Sequence, residues 1–231
     1  MKKFIIILIL FAFHNVNAFD LTYCENSVSE CIKLAESGNE NAQYQLGLIY
    51  IADYDYNEAY KWIKRSAEKG NHLAQLELGY IYFRGLHVQI SKASKDRDGR
   101  LTAIDWFEKS ATQGNCDALH WLGIMNQKGK GIPKDLNKAI EWFTKSAKKG
   151  NVKSQMWLAE IYSTGKELPQ TKENAVTAFS WFYIAARNGN AHAHEMLKLM
   201  PKILTSEQIE RAEQFAIPFL EKYQNTCFGS E

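Results

Sequence analysis

The chain has 231 residues, 45% hydrophobic and 23% charged, with 12 Phe, 11 Tyr and 6 Trp against only 4 Pro. That balance supports a packed core and excludes a disordered or collagen-like chain. Basic and acidic residues number 28 and 26, and two of the lysines, Lys2 and Lys3, precede an apolar leader, so the remainder of the chain is charge-balanced and nucleic acid is excluded as a default partner.

Residues 4–13 are an unbroken apolar run behind Lys2 and Lys3, and Val16-Asn17-Ala18 supplies small residues for cleavage. The pattern predicts a secretory signal over residues 1–18, cut after Ala18, because the run is half of the about 20 residues that a membrane span needs. No later segment is long enough to span. Leu21-Thr22-Tyr23-Cys24 offers a rival lipid-attachment reading, weakened by Tyr23 where a small residue is required. The product is placed in the periplasm or outside the cell, where disulfides form.

Residues 19–38 read as an N-terminal cap. Ser27 and Glu30 have capping-box spacing and start a helix near Val28, so Cys24 lies ahead of it and can fold back to pair with Cys31. Within one helix the two would stand about 10 Å apart, beyond bonding reach. Cys116 and Cys227 are left open between free and paired, and the absence of C-x-x-C supports neither a redox motif nor a zinc knuckle.

Four repeats occupy residues 39–70, 71–114, 115–150 and 151–189, marked by Gly-Asn at 38, 70, 114, 150 and 189 with periods of 32, 44, 36 and 39. Each Asn precedes a helix, here called helix A, with Ala or Ser three residues on (Ala42, Ala74, Ala118, Ser154) and then Leu (Leu46, Leu78, Leu122, Leu158). Helix B carries Trp eight residues before the next Gly (Trp62, Trp106, Trp142, Trp181), and Asp55, Asp135 and Asn174 stand where a side chain can cap it. One such pair cannot bury both faces, so the pairs must stack into an α-solenoid with atypical ends. The second repeat holds extra residues between its helices, over about 84–99. This segment reads either as linker or as a specificity element. Residues 190–231 form C-terminal capping helices, one stopping at Pro201 and a last one capped by Thr205 and Gln208 and ending at Pro218.

The combination Ala118, Leu122, Gly123, Gly129-Lys130-Gly131-Ile132, Asp135, Lys138-Ala139, Trp142-Phe143, Ala147 and Gly150 resembles the Sel-1-like repeat family. The resemblance covers about 39–189; the first unit departs from it by lacking the Gly-x-Gly loop. It implies an all-α fold, a right-handed α/α solenoid similar to tetratricopeptide proteins. It also implies protein partners, in roles such as envelope scaffold or regulator, host-interaction factor, or immunity protein against a secreted antibacterial toxin such as a phospholipase. β-Lactam binding or hydrolysis is ascribed to some relatives.

Catalytic readings are weak. Ser66 to Lys69 and Ser146 to Lys149 match Ser-x-x-Lys, yet they occupy the same repeat position, and Ser-Asp-Asn and Lys-Thr-Gly are missing. His192 and His194 lie two apart, on opposite sides of a helix, and cannot share a metal. The stretch from Ser94 to Asp105 is a broken echo of a calcium loop, with Lys95, Arg97 and Arg100 repelling a cation. No cofactor is expected, and the oligomeric state is open.

At about 100° per residue, part of helix A points away from its Ala-Leu stripe. In related solenoids that face lines a concave groove. It holds Tyr44, Leu48 and Ile51 in the first repeat, Leu73, Leu76, Tyr80 and Phe83 in the second, His120, Ile124 and Gln127 in the third, and Lys153, Met156 and Glu160 in the fourth. The alternative is that these residues pack against the adjacent helix A. The expected function is a non-enzymatic periplasmic module gripping a protein in this groove, with toxin neutralisation as the favoured role.

Overall fold

The computed structural model describes residues 24, 27–85, 99–222 and 227. Residues 1–18, most of the 84–99 insertion and residues 94–98 of the calcium-like stretch lie outside these residues. Among the described residues all regular structure is helical. Two compact units divide the chain, Met1–Gln113 and Gly114–Glu231.

In the first unit α1 (Val28–Glu36), α2 (Glu40–Ala52), α3 (Tyr56–Glu68), α4 (His72–Arg84) and α5 (Arg100–Thr112) pack in succession, each on the one before. The second unit builds α6 (Cys116–Lys128), α7 (Leu136–Lys148), α8 (Val152–Ser163) and α9 (Lys172–Arg187) in the same way. It closes with α10 (Ala191–Leu199), a 3-10 turn at Met200–Lys202 and α11 (Ser206–Lys222), which packs back on α9.

Each helix A starts at the Asn of Gly-Asn: the side chains of Asn39, Asn71, Asn115 and Asn151 accept from the N–H three residues ahead at 2.9 to 3.1 Å. Ser27, Asp55 and Asp135 cap their helices as the sequence predicts. Asn174 does not. The cap of α9 is Thr171, whose hydroxyl accepts from Asn174 N, and the Asn174 amide donates back to the Pro169 carbonyl, so the helix begins earlier than expected. The expected stop at Pro218 is also corrected, because α11 continues through it to Lys222. Phe215 and Phe219, flanking Pro218, pack on Trp181 with centroids 6.0 and 5.6 Å away, and this contact holds the turn helical.

Gly47, Gly79 and Gly123 set the spacing inside the hairpins. A Cβ on them would stand 2.5 to 2.6 Å from Ile63, Phe107 and Phe143 of the paired helix B. Cys24 is bonded to Cys31, and Cys116 to Cys227, across a sequence separation of 111 that the sequence left unassigned.

Candidate functional site

Polar pins hold the helices in register. Buried Ser66, Ser110 and Ser146 each donate from Oγ to the carbonyl of the first helix A residue, Glu40, His72 and Cys116, at 2.7 Å. Asn71 donates to Asn41 at 2.7 Å and Asn151 to Asp117 at 2.9 Å, tying successive A helices at their N-terminal ends. The serines of both Ser-x-x-Lys stretches are therefore committed to the backbone and 0% exposed, and neither is placed to attack a substrate.

These contacts fix which face of helix A is covered. In α2, Ala42 and Leu46 join the Cys31 and Ala35 cluster of α1. Gly47 meets Ile63 of α3. Tyr44 joins a cluster with Ile63, Ala67, Ala74, Leu78 and Ile81, against which Leu48, Ile51 and Leu73 pack half-buried. In α6, His120 bonds Ser154 of α8 and lies against Phe143 of α7, Ile124 packs half-buried on the core, and Gln127 is buried. Met156 of α8 belongs to that core.

The positions read from sequence as groove lining thus divide. Tyr44, His120, Gln127 and Met156 are at most 9% exposed and give a partner no surface; Leu48, Ile51, Leu73 and Ile124 are half-spent on their own unit. The reason is that the paired helix B and the neighbouring A helix both use this side. Leu76, Tyr80 and Phe83 stay half-exposed, with the Arg84 guanidinium 5.2 Å over the Tyr80 ring, and Lys153 and Glu160 are exposed.

In the second unit, partly exposed positions lie further round, two, six and thirteen after the capping Asn. These are Asp117, Trp121 and Lys128 on α6, and Lys153, Trp157 and Thr164 on and just after α8. Trp121 and Trp157 are equivalent, one repeat apart, and each is half-buried. Trp157 stacks parallel to Phe143 at 5.9 Å with the Lys128 ammonium 5.1 Å from its centroid, and Trp121 meets His120 edge-on at 6.3 Å. Trp157 packs in part on the core of its unit. The two half-buried indoles, with Lys128 over Trp157 and exposed Lys153 and Glu160 one turn to either side of it on α8, have the composition of an interface centre. In the first unit the same positions hold Asn41, Gln45 and Ala52, then Leu73, Glu77 and Arg84. Gln45 is buried, and among the described residues neither of its amide atoms has a hydrogen-bond partner.

Neither tryptophan was singled out from the sequence. The signal was Gly123: a glycine that admits the paired helix marks the covered side, so the open face lies roughly opposite it.

His120 supports the platform from below. Ser146 donates to the Cys116 carbonyl and Ser154 to Ser146, so the His120 Nδ1–H must donate to Ser154 Oγ, at 2.8 Å. Burial, with Lys153 adding to it, lowers its pKa to about 3, and the ring is neutral. The unfolded chain binds this proton near pH 6.5 and the folded one only near 3, so its contribution is complete above pH 6.5 and drains away as pH falls toward 3. Urea melts should lose up to about 1.4 kcal/mol per pH unit in that window, and His120→Asn should flatten the slope. An equal slope in the variant would assign the loss elsewhere.

His192 and His194 are both exposed, and among the described residues no three His, Cys, Asp or Glu cluster as metal ligands. No described helix is long and apolar enough to cross a membrane.

Comparison with known proteins gives a match to the Sel1 repeat model at residues 41–71, 72–115, 116–151 and 152–190. Among solved structures the chain is similar to c5321, a protective antigen present in uropathogenic Escherichia coli strains and displaying an SLR fold. Identity is 33% and the TM-score 0.71, over 86% of this chain and 41% of that one. A Sel1 repeat protein from Oxalobacter formigenes matches at 26% identity and TM-score 0.62, over 82% of this chain and 77% of that one. No curated protein matches.

Proposed function

The chain belongs to the Sel1 repeat family, whose members mediate protein–protein interaction, and from that premise we propose that it is a non-enzymatic binding module of the periplasm or cell exterior. The Trp121 and Trp157 platform captures a protein partner. The observation that carries this reading is the pair of equivalent, half-exposed indoles, in ring contact with Phe143 and His120, with Lys128, Lys153 and Glu160 exposed around them. Rigid tryptophans supply contact area at small entropic cost, while the rim charges set orientation. Leu76, Tyr80 and Phe83 on α4 offer a second, apolar surface within the first unit. The two disulfides fit an oxidising compartment, and the apolar leader supports export.

The favoured role is an immunity protein that neutralises a secreted antibacterial toxin, which needs a complementary surface and no catalytic group. Cells lacking the protein should die when a toxin encoded beside it reaches the periplasm, and wild type should rescue them. Trp121→Ala/Trp157→Ala should fail to rescue, with each truncation weakening capture by about 30-fold or more. Survival of the deletion strain removes the toxin role; equal capture by the double variant removes the platform. Similarity to a protective antigen supports a second reading, a host-facing factor, in which the deletion strain is toxin-insensitive and the protein is recovered at the cell surface.

A further inference from the structure

The chain as a whole is nearly neutral, but residues 128–149 hold seven lysines (128, 130, 134, 138, 145, 148 and 149) against Asp135 and Glu141. Helix α7 gathers three of them on its outward side. Lys138, Lys145 and Lys148 are exposed, fall within an arc of about 80°, and extend over about 15 Å of helix. Among the described residues no acidic group lies within ion-pair distance of these three, whereas Lys134 is paired with Glu167 at 2.9 Å. The Lys145 ammonium sits 4.5 Å from the centroid of the half-exposed Trp142 ring. At the N-terminal end of the helix the loop sets exposed Pro133 and half-buried Ile132 between exposed Lys130 and Lys134.

We propose that this outward face of α7, with its preceding loop, docks the protein on an anionic phospholipid bilayer surface. The basic charges are all lysines, with exposed Glu141 the one acidic residue inside the same arc: compact point charges on long stems, which suit laterally mobile phosphate headgroups, whereas fixed carboxylates of a protein partner are better met by the forked guanidinium of Arg. Trp142 offers only the exposed part of its ring, since its Nε1 is buried, and Lys145 can shift from its face to a headgroup. The stripe lies on helix B and the tryptophan platform on helix A, so surface attachment and partner capture use different residues.

The test is sedimentation of the full chain with vesicles of neutral phosphatidylcholine or of phosphatidylcholine with about 30% phosphatidylglycerol. Binding is expected only to the anionic vesicles and should fall as salt is raised, as screening shortens the reach of each charge. Each lysine near an anionic surface contributes about five-fold in affinity, so Lys138→Gln/Lys145→Gln/Lys148→Gln should weaken binding about 100-fold. The gain-of-charge variant Glu141→Lys should tighten it at least about five-fold, a readout that loss of fold cannot mimic. Trp121→Ala/Trp157→Ala should bind vesicles as wild type does, which separates this face from the partner platform. Equal binding to both vesicle types, insensitivity to the lysine variants, or capture of polyglutamate without binding of vesicles would each overturn the proposal.

Discussion

Serine in place of both Cys116 and Cys227 is expected to cost about 5 kcal/mol of stability in the second unit. The bond closes a loop with a sequence separation of 111, joining the first turn of α6 to the C-terminal segment beyond α11. Restricting an unfolded chain over such a loop removes more entropy than the Cys24–Cys31 bond can at a separation of seven, for which the same argument gives about 2 kcal/mol. A solenoid is stabilised mainly by contacts between neighbouring repeats, so a link between distant elements adds what nearest-neighbour packing lacks. Urea unfolding of the Cys116→Ser/Cys227→Ser variant, followed by circular dichroism, gives the value. A loss below about 1 kcal/mol would mean that packing of α11 on α9 suffices without the bond.

Phe143→Ala should cost about 3–5 kcal/mol and disturb the platform as well as the core. Phe143 is 0% exposed. Its ring lies against the Gly123 backbone, within 5.5 Å of His120 and parallel to Trp157 at 5.9 Å. Truncation leaves a cavity that the flanking helices cannot close, because the serine and asparagine pins hold them apart. The stack that orients Trp157 goes with it, so near-ultraviolet circular dichroism should lose aromatic signal even where the helices persist. By contrast, breaking the exposed Arg211–Glu173 pair, 2.8 Å apart, should cost under about 1 kcal/mol. Phe143→Ala with a melt close to wild type would show that Gly123 and its surroundings collapse onto the void.

Helix starts, hairpin pairing and repeat number were legible because local chemistry sets them. The Asn after each Gly caps a helix without help from tertiary structure, and a glycine such as Gly70, with φ +106°, ends the one before it. The two misread ends have tertiary causes. Asn174 was displaced as a cap by Thr171, and Pro218 is carried inside α11 beside the Trp181 aromatic contact. The positions read as groove lining divide between buried and accessible for a geometric reason. A wheel drawn from Ala42 or Ala118 gives angles and not neighbours, and the side chosen was shared by the paired helix B and the adjacent helix A. Gly123 already contained the missing direction. The Cys116–Cys227 bond could not be read at all, since it depends on where α11 and the segment beyond it finish.

Amide hydrogen exchange of the protein with and without its captured partner reads out capture on the helix A face, because it locates the contact without mutating it. Slowed exchange should appear along the exposed sides of α6 and α8, around Trp121, Lys128 and Trp157, and leave α7 unchanged. Protection confined to α7 or to α11, with α6 and α8 exchanging as in the free protein, would contradict capture on the helix A face.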